Sequence, residues 1–271
     1  MQRLDRVPLL WDREREFRER VEGRTPVVFL DYDGTLTTIV EDYTRAFLAD
    51  DMRRTIATLA RHYLVAIVSG RDLATTRELV GLDRLFYAGS HGFEIGGPDG
   101  WHEAVEQGVE ALPELGRAEA ELRHELAAVP GHAVERKRFA LAIHYRRAAA
   151  ADAARIAQAV DRVAARHPRL RKGSGKKVWR LQPDIAWDKG RAVRLLLQRL
   201  GLERPQIVPI YIGDDLTDED AFHALEGRGV GIVVRGEDHS RETAAQYALG
   251  DCDDVRRFLE LLIAMAPENL S

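Results

Sequence analysis

The stretch of sequence that decides the architecture reads Val28-Phe29-Leu30-Asp31-Tyr32-Asp33-Gly34-Thr35-Leu36-Thr37. A short apolar run ends at Leu30, two carboxylates separated by one residue follow at once, and Gly34 permits a tight turn. A continuous apolar run of this kind is typical of a strand buried on both faces of a parallel sheet. Ligands of open α/β sheets bind beyond the carboxyl ends of the strands, so Asp31 and Asp33 mark the first candidate site.

Other short apolar runs end as abruptly in polar or glycine-rich residues. They are Leu64–Val68, Leu85–Ala88, Ile207–Ile212 and Gly229–Val234. Between the runs, apolar residues recur with helical spacing over Asp51–Arg61 and Lys189–Leu200. Strands that alternate with helices predict an α/β fold built on a doubly wound, Rossmann-like parallel sheet.

The middle of the chain shows a different order of predicted helices and strands. A helical pattern over Gly116–Val129 precedes a β-like stretch over Ala133–Tyr145. An alanine-rich helical pattern over Ala149–His167 then precedes the short run Val178–Leu181. This order predicts a smaller α+β domain inserted into the sheet domain. We therefore expect a core of residues 1–97 and 184–271 and an insert of residues 98–183.

Composition restricts the class of protein and its partners. The 271 residues carry a formal net charge of −4, with 45% hydrophobic and 31% charged residues, which indicates a folded globular protein. An acidic balance argues against nucleic acid as a partner, because nucleic-acid-binding domains are usually basic. No apolar run approaches the ~20 residues that span a bilayer, and Met1–Gly23 lacks the apolar segment of a secretory signal. We expect no membrane partner and a cytoplasmic location; the sequence does not indicate the oligomeric state, and a monomer is the working assumption.

The single cysteine, Cys252, excludes an internal disulfide. A lone cysteine in an acidic chain is consistent with a reducing compartment. We interpret it as a small, buried apolar side chain without a catalytic role.

The pair Asp31 and Asp33 suits phosphoryl transfer. One of two carboxylates leaving a strand can attack phosphorus and form an acyl-phosphate, while the other protonates the leaving oxygen and later activates water. An Asp-x-Asp pair alone is weak evidence, because most such pairs are solvated turns or helix caps. The strand before this pair and the Gly-Thr after it favour the functional interpretation.

Two further positions could contact a phosphate. Ser69 follows the run Leu64–Val68 and offers a hydroxyl and nearby backbone N–H groups to a phosphate oxygen, although it could simply cap a helix over Asp72–Val80. Lys189, at the start of a predicted helix, could neutralise a nucleophilic carboxylate and phosphoryl oxygens. A lysine at a helix start is more often a solvated charge.

An acidic cluster follows the run Ile207–Ile212. Five of the seven residues from Asp214 to Asp220 are acidic, and they repel one another unless a cation lies among them. Hard oxygen ligands suit Mg²⁺, which typically takes one or two carboxylates, substrate phosphate and several waters. Attraction to a helix dipole could account for Glu219 and Asp220 but explains Asp214 and Asp215 poorly.

The ordered set of these motifs resembles the haloacid dehalogenase superfamily of phosphohydrolases. The resemblance implies that Asp31 is the nucleophile and Asp33 the general acid and base, with Ser69 and Lys189 holding the phosphoryl group. It also implies a Mg²⁺ ion bound by Asp31, by the carbonyl of Asp33 and by Asp214, with support from Asp215 and Asp218.

A narrower resemblance, over about residues 25 to 260, is to the trehalose-6-phosphate phosphatases. Motifs that carry it include Ser69-Gly70-Arg71, Gly89 to Glu94, Val134 to Lys137, His144-Tyr145-Arg146, Gly175 to Val178 and Asp188-Lys189-Gly190. It implies that the insert is a cap whose side chains hold the sugar. The implied substrate-binding residues are Arg71, His91, Glu94, Glu135, Lys137, His144, Arg146 and Lys176. Those of the insert could alternatively form the exposed face of a half-buried sheet.

One segment departs from the family pattern. Arg180 stands where the family usually has an acid, and Gln182 stands where it has a base. The main hypothesis is therefore hydrolysis of trehalose 6-phosphate, and the alternative is hydrolysis of another glycosyl or sugar phosphate. A third hypothesis, a phosphorylatable receiver or a silent partner of a sugar-nucleotide transferase, is disfavoured because receivers are roughly half this length and lack the insert.

Overall fold

The structure is a computed structural model that describes residues 1–39, 46–175, 177–236 and 241–267. The chain divides into two compact units. Unit 1 comprises residues 1–102 and 187–271, and unit 2 comprises residues 103–186. The boundaries that the sequence predicts, after residues 97 and 183, lie a few residues before these.

Strands and helices alternate through most of the chain. The strands are β1 (Gln2–Arg3), β2 (Thr25–Leu30), β3 (Leu64–Val68), β4 (Phe86–Gly89), β5 (Glu94–Gly96), β6 (His102–Ala104), β7 (Ala133–Lys137), β8 (Ala140–His144), β9 (Leu170–Gly175), β10 (Val178–Pro183), β11 (Ile207–Gly213), β12 (Val230–Val234), β13 (Glu242–Thr243) and β14 (Tyr247–Leu249). The α-helices are α1 (Glu14–Val21), α2 (Asp50–Leu59), α3 (Leu73–Val80), α4 (Glu106–Glu110), α5 (Leu112–Leu126), α6 (Ala150–Arg166), α7 (Lys189–Arg199), α8 (Leu216–Ala224) and α9 (Cys252–Ala264).

The main sheet has the strand order β14-β12-β11-β2-β3-β4-β5-β6. The pairs from β14 to β4 are all parallel, as the apolar runs predict, whereas β5 is antiparallel to β4. This arrangement confirms the predicted α/β class. The runs at β5 and β6 are only three residues long, so they carried no recognisable strand pattern in the sequence.

The central strand β2 is buried on both faces of the sheet. Val28 and Leu30 belong to an apolar core with side chains of α1, α2 and α9, whereas Val27 and Phe29 belong to a second core with α7 and α8. Successive strand residues point to opposite faces, so a strand covered on both sides must be apolar throughout. This explains the continuous run before Asp31.

Unit 2 is an α+β unit with a sheet of its own. Its strands have the order β7-β8-β10-β9, and each neighbouring pair in this order is antiparallel. Apolar residues of α5 and α6 pack with Leu141, Ile143 and Leu181 on one face of this sheet. The sequence analysis predicts no strand at β9, whose residues are mostly glycine, serine and basic side chains.

None of the helices in the described ranges combines the length and the apolar character needed to cross a membrane.

Two glycine-to-alanine substitutions compare a tightly packed position in unit 1 with a position that has free space around it. A Cβ added at Gly190, in α7, would lie 2.1 Å from the carbonyl oxygen of Asp220 in α8, so Gly190→Ala should destabilise the protein by about 1–3 kcal/mol. Gly116, in α5, has nothing within 4 Å of the added Cβ, so Gly116→Ala should stabilise by up to about 1 kcal/mol. Thermal unfolding of both variants measures the difference. A Gly190→Ala protein as stable as the parent would contradict the close approach of α7 and α8.

Candidate functional site

The neighbouring parallel strands β2 and β11 bring Asp31 and Asp214 together at the carboxyl ends of the main sheet. Leu30 of β2 pairs with Ile212 of β11, and the backbone N–H of Asp31 donates to the Ile212 carbonyl at 2.9 Å. Asp31 therefore leaves β2 at the level where Asp214 follows β11. The alignment follows from the register of two fully apolar strands, which leaves the polar residues together at their ends.

Lys189 supplies a positive charge among these acids. Its Nζ lies 2.6 Å from Oδ1 of Asp31 and 2.7 Å from Oδ1 of Asp218, and its side chain is only 3% exposed. The residue occupies the first turn of α7, which Asp188 caps by accepting a hydrogen bond from the Arg191 N–H. The sequence left open whether Lys189 was a solvated surface charge, and its burial excludes that interpretation.

Asp218 connects Lys189 to the backbone of the acidic loop. Its Oδ1 accepts hydrogen bonds from Lys189 and from the Tyr211 hydroxyl, the latter at 2.6 Å. Its Oδ2 accepts from the backbone N–H groups of Asp214 at 3.1 Å and Asp215 at 2.9 Å. All four acceptor positions of the carboxylate are thus occupied.

The electrostatics of the cluster reflect burial of several charges together. Burial raises the pKa of Asp31 well above its usual value, an effect that Lys189 opposes and that Asp218 and Asp214 reinforce. Burial, with the charges of Asp218 and Asp215, raises the pKa of Asp214 to about 7. Burial would lower the pKa of Lys189, but the charges of Asp218 and Asp31 outweigh it and raise the pKa, so the ammonium group stays charged.

Three carboxylates of this cluster fit a divalent cation. One oxygen from each of Asp31, Asp214 and Asp218 lies within 4.8 Å of the others. Oδ1 of Asp214 is buried and accepts no hydrogen bond from the described part of the chain. Because hydrogen bonds already occupy both oxygens of Asp218, Asp31 and Asp214 are the better placed direct ligands, and hard carboxylate oxygens suit such an ion.

The remaining predicted metal ligands lie differently. Asp215 is exposed and caps α8, accepting a hydrogen bond from the Leu216 N–H. Its role at the metal therefore stays a prediction, as does that of the Asp33 carbonyl. The structure also explains why a glycine follows Asp33. Gly34 has positive φ, and a Cβ at this position would lie 2.1 Å from Oδ2 of Asp214.

The Asp33 carboxylate forms an ion pair with Arg71. Nε of Arg71 donates to Oδ2 at 2.7 Å and Nη2 donates to Oδ1 at 2.5 Å. The Arg71 side chain is 9% exposed and that of Asp33 is 43% exposed. The sequence assigned these two residues to acid–base chemistry and to substrate binding, and it did not anticipate that they pair with each other.

Ser69 and His91 meet beside Arg71. Oγ of Ser69 accepts from the Arg71 N–H at 3.1 Å, and the His91 N–H donates to the Ser69 carbonyl at 2.8 Å. Ser90 and His91 both have positive φ, at 51° and 57°, a conformation that L-residues adopt at a cost in free energy. Gly70 makes room for the imidazole, because a Cβ there would lie 2.7 Å from Cε1 of His91.

Glu94, the remaining predicted binding residue of unit 1, is a buried carboxylate. It lies on β5 opposite Gly89, and its Oε1 is 2.5 Å from Nε2 of His102. Only 4% of Glu94 is exposed. His102 belongs to none of the sequence motifs.

The predicted binding residues of unit 2 lie on or next to its sheet. Oε2 of Glu135 is 2.8 Å from Nε2 of His144, and this contact links β7 to the end of β8. Lys137 ends β7 opposite Ala140, and Arg146 is exposed in the turn that follows β8. Lys176 lies outside the described residues.

Arg180 and Gln182, the two residues that depart from the family pattern, lie on the sheet face opposite the apolar core of unit 2. Strand pairing places Glu135, Ala142 and Arg180 in one row across that face. Arg180 is exposed. With its amide oxygen turned toward Arg171, Gln182 accepts from Nη2 at 2.8 Å and from Nε at 3.0 Å.

Sequence reasoning missed three residues that shape the acidic loop. Tyr211 lies inside an apolar run, and only its hydroxyl distinguishes it from its neighbours there. Glu219, interpreted as a helix-dipole residue, is 7% exposed and pairs with Arg241 at 2.8 Å. Arg241 is 22 residues from its partner and belongs to no recognisable motif.

The sequence and structure are similar to those of known phosphatases. The trehalose-phosphatase family model matches residues 29–253. The trehalose-phosphate phosphatase of Mycobacterium tuberculosis (strain ATCC 25618 / H37Rv) is 45% identical over 242 residues, which cover 89% of this chain and 62% of that protein. The chain therefore spans about three fifths of the length of this curated relative.

Solved structures with related folds include two from different classes of organism. The trehalose-6-phosphate phosphatase of Aspergillus fumigatus has a TM-score of 0.68 at 29% identity, with 96% of this chain and 100% of that chain covered. A haloacid dehalogenase-like hydrolase from Bacteroides thetaiotaomicron has a TM-score of 0.63 at 17% identity, with 88% and 100% covered, and this likeness concerns the fold alone.

The pKa of Asp214 predicts how cation binding depends on pH. In the cation-free protein this pKa is about 7 instead of the usual 3.8, so a bound cation must displace a proton at lower pH. The apparent affinity for MgCl₂ should therefore fall from about pH 8 to about pH 6, by up to about tenfold per pH unit for each proton displaced. Calorimetric titration in buffers of different ionisation enthalpy measures both the affinity and the proton release. Affinity that is constant over this range would contradict the assignment of Asp214 as a ligand.

Proposed function

This chain belongs to the trehalose-phosphatase family, as its motifs predict, and we propose that it hydrolyses trehalose 6-phosphate to trehalose and phosphate, the last step of trehalose biosynthesis. The reaction uses Mg²⁺ and passes through an aspartyl-phosphate. The observation that carries the proposal is the buried contact of Lys189 with Asp31, beside Asp214. A carboxylate held by a buried ammonium group at the end of a central strand suits a nucleophile toward phosphorus.

Asp31 is the proposed nucleophile. Lys189 holds its Oδ1, which orients the carboxylate and leaves Oδ2 to attack phosphorus. Attack forms the Oδ2–P bond and breaks the bond between phosphorus and the sugar oxygen. The Lys189 charge lowers the repulsion between an anionic nucleophile and an anionic ester. Water then attacks phosphorus, which releases phosphate and restores the Asp31 carboxylate.

Asp33 is the proposed general acid and base. It donates a proton to the leaving sugar oxygen and takes one from the attacking water. Its half-buried carboxylate is bonded to Arg71 on both oxygens, so part of this ion pair must open during the reaction. A guanidinium group that leaves one carboxylate can bind phosphoryl oxygens with the same paired geometry.

Asp31 and Asp214 would hold the Mg²⁺ ion, together with the Asp33 carbonyl. When bound, the ion neutralises phosphoryl charge as a Lewis acid. The Ser69 hydroxyl and the neighbouring backbone N–H groups complete the proposed set of phosphate-binding groups.

The sugar is proposed to be selected by side chains of unit 2. The pair of Glu135 and His144, together with Lys137, presents the mixed donors and acceptors that hydroxyl groups require. Arg180, exposed in the same row as Glu135, favours the second candidate, a phosphatase for another and more anionic glycosyl phosphate.

A substrate panel tests the proposed specificity. Phosphate release with Mg²⁺ should be measured for trehalose 6-phosphate, glucose 6-phosphate, other glycosyl phosphates and para-nitrophenyl phosphate. We expect kcat/KM for trehalose 6-phosphate to exceed the others about a hundredfold, which corresponds to about 2.7 kcal/mol of transition-state binding. A higher kcat/KM for an anionic glycosyl phosphate would favour the second candidate. In that case Arg180→Glu should shift the preference back toward trehalose 6-phosphate.

Two conservative substitutions separate the roles of the first carboxylate pair. Asp31→Asn should abolish turnover, because an amide cannot form the acyl-phosphate. Asp33→Asn should still release about one equivalent of para-nitrophenol in a burst and then stall, since this leaving group needs no protonation whereas the hydrolytic step needs a base. Rapid-quench kinetics measure both, with the exposed Asp12→Asn as a control that should keep normal turnover. Turnover in Asp31→Asn, or the absence of a burst in Asp33→Asn, would contradict the assignment.

A further inference from the structure

The loop that carries Asp214 is held from two sides by different residues. Asp218 accepts the backbone N–H groups of Asp214 and Asp215, as described above. On the carbonyl side, Nη2 of Arg241 donates to the Asp214 carbonyl at 2.5 Å, and Nη1 lies 3.4 Å from the Asp215 carbonyl. The peptide group that joins Asp214 to Asp215 therefore has a bonded partner on both sides, Arg241 at its carbonyl and Asp218 at its N–H.

Arg241 is itself fixed by a buried carboxylate of the same helix. Its Nη1 donates to Oε1 of Glu219 at 2.8 Å, and the two side chains are only 13% and 9% exposed. Oε2 of Glu219 accepts from the backbone N–H of Ala244 at 2.8 Å. Glu219 thus ties the first turn of α8 to the segment that contains Arg241. A buried ion pair of this kind contributes little net stability, so its main effect here is to fix the position of the Arg241 side chain.

The backbone of that segment is anchored independently of the guanidinium group. The Arg241 carbonyl accepts from the Leu4 N–H at 2.9 Å. The adjoining strand β13 pairs with β1, with Glu242 opposite Arg3 and the fully buried Thr243 opposite Gln2. A side-chain change at Arg241 therefore leaves these backbone bonds in place.

We propose that Arg241 is a positioning residue for the cation site, and that it acts by fixing the peptide orientation that aims the Asp214 carboxylate at the ion. The inference rests on the proposed function only through the cation site and not through the identity of the substrate. The two peptide groups that flank Asp214 set the direction of its Cα–Cβ bond. Asp218 accepts the N–H of both flanking peptide groups, and Arg241 donates to the carbonyl of the one that follows Asp214, so one direction of that bond is selected. Partners of this kind, one step removed from the ion, typically change metal affinity by about ten- to a hundredfold.

Calorimetric titration with MgCl₂ and thermal unfolding, performed on the same variants, test the proposal. Arg241→Met should weaken Mg²⁺ affinity by roughly ten- to a hundredfold and should also lower the unfolding temperature, because Glu219 loses its counter-charge. The double variant Arg241→Met with Glu219→Gln removes that unpaired charge. It should recover most of the unfolding temperature while the Mg²⁺ affinity stays weak. Arg241→Lys should recover part of the affinity, since one ammonium group can donate to the Asp214 carbonyl.

Arg235→Met provides the matched control. Arg235 precedes the same segment and donates through Nη2 to the Val7 carbonyl at 2.8 Å. Its substitution should lower the unfolding temperature without changing Mg²⁺ affinity. The proposal is overturned if the double variant binds Mg²⁺ as tightly as the parent, if affinity follows the unfolding temperature across all variants, or if the parent binds no Mg²⁺. Failure of the substrate panel alone, with Mg²⁺ binding intact, would overturn only the proposed sugar.

Discussion

Lys189 carries its positive charge into the interior of unit 1, where Asp31 and Asp218 approach it to 2.6 Å and 2.7 Å. Without this ammonium group, the strand ends would bring several carboxylates together in a region that water barely reaches, and the charged forms would be strongly disfavoured. The lysine makes the cluster compatible with folding, and it leaves Asp31 with one oxygen held and one available. Stability and reactivity of the site therefore depend on the same contact.

Asp218 connects Lys189 to Tyr211 and to the backbone of the acidic loop. Its carboxylate binds Lys189 and Tyr211 with one oxygen and two backbone N–H groups of the acidic loop with the other. A residue with every acceptor position in use organises its neighbours and has little left for an ion. The division of labour in the acidic cluster follows from this, with Asp214 directed inward and Asp215 placed at the exposed cap of α8.

Much of the fold and part of the site could be predicted because their causes are local. Strands covered on both faces must be apolar throughout, so the positions of β2, β3 and β11 and the polar residues at their ends are visible in the sequence. The insertion of unit 2 is visible through the change of rhythm near Pro98. The edge strands β5 and β6 and the strand β9 were not predictable, since short or glycine-rich segments adopt strand geometry only when a neighbour supplies the pairing.

By itself, the sequence determined which acidic, basic and hydroxyl side chains stand at the strand ends of this protein, and hence the class of chemistry available to it. Tertiary structure alone decided which of those side chains meet. It paired Asp33 with Arg71, buried Lys189 between two acids and brought Arg241 to the carbonyls of a loop 27 residues earlier in the chain. The reason is physical, because periodicity encodes which face a residue occupies, whereas hydrogen bonds and ion pairs depend on distances of a few ångströms between segments that only the folded chain brings together.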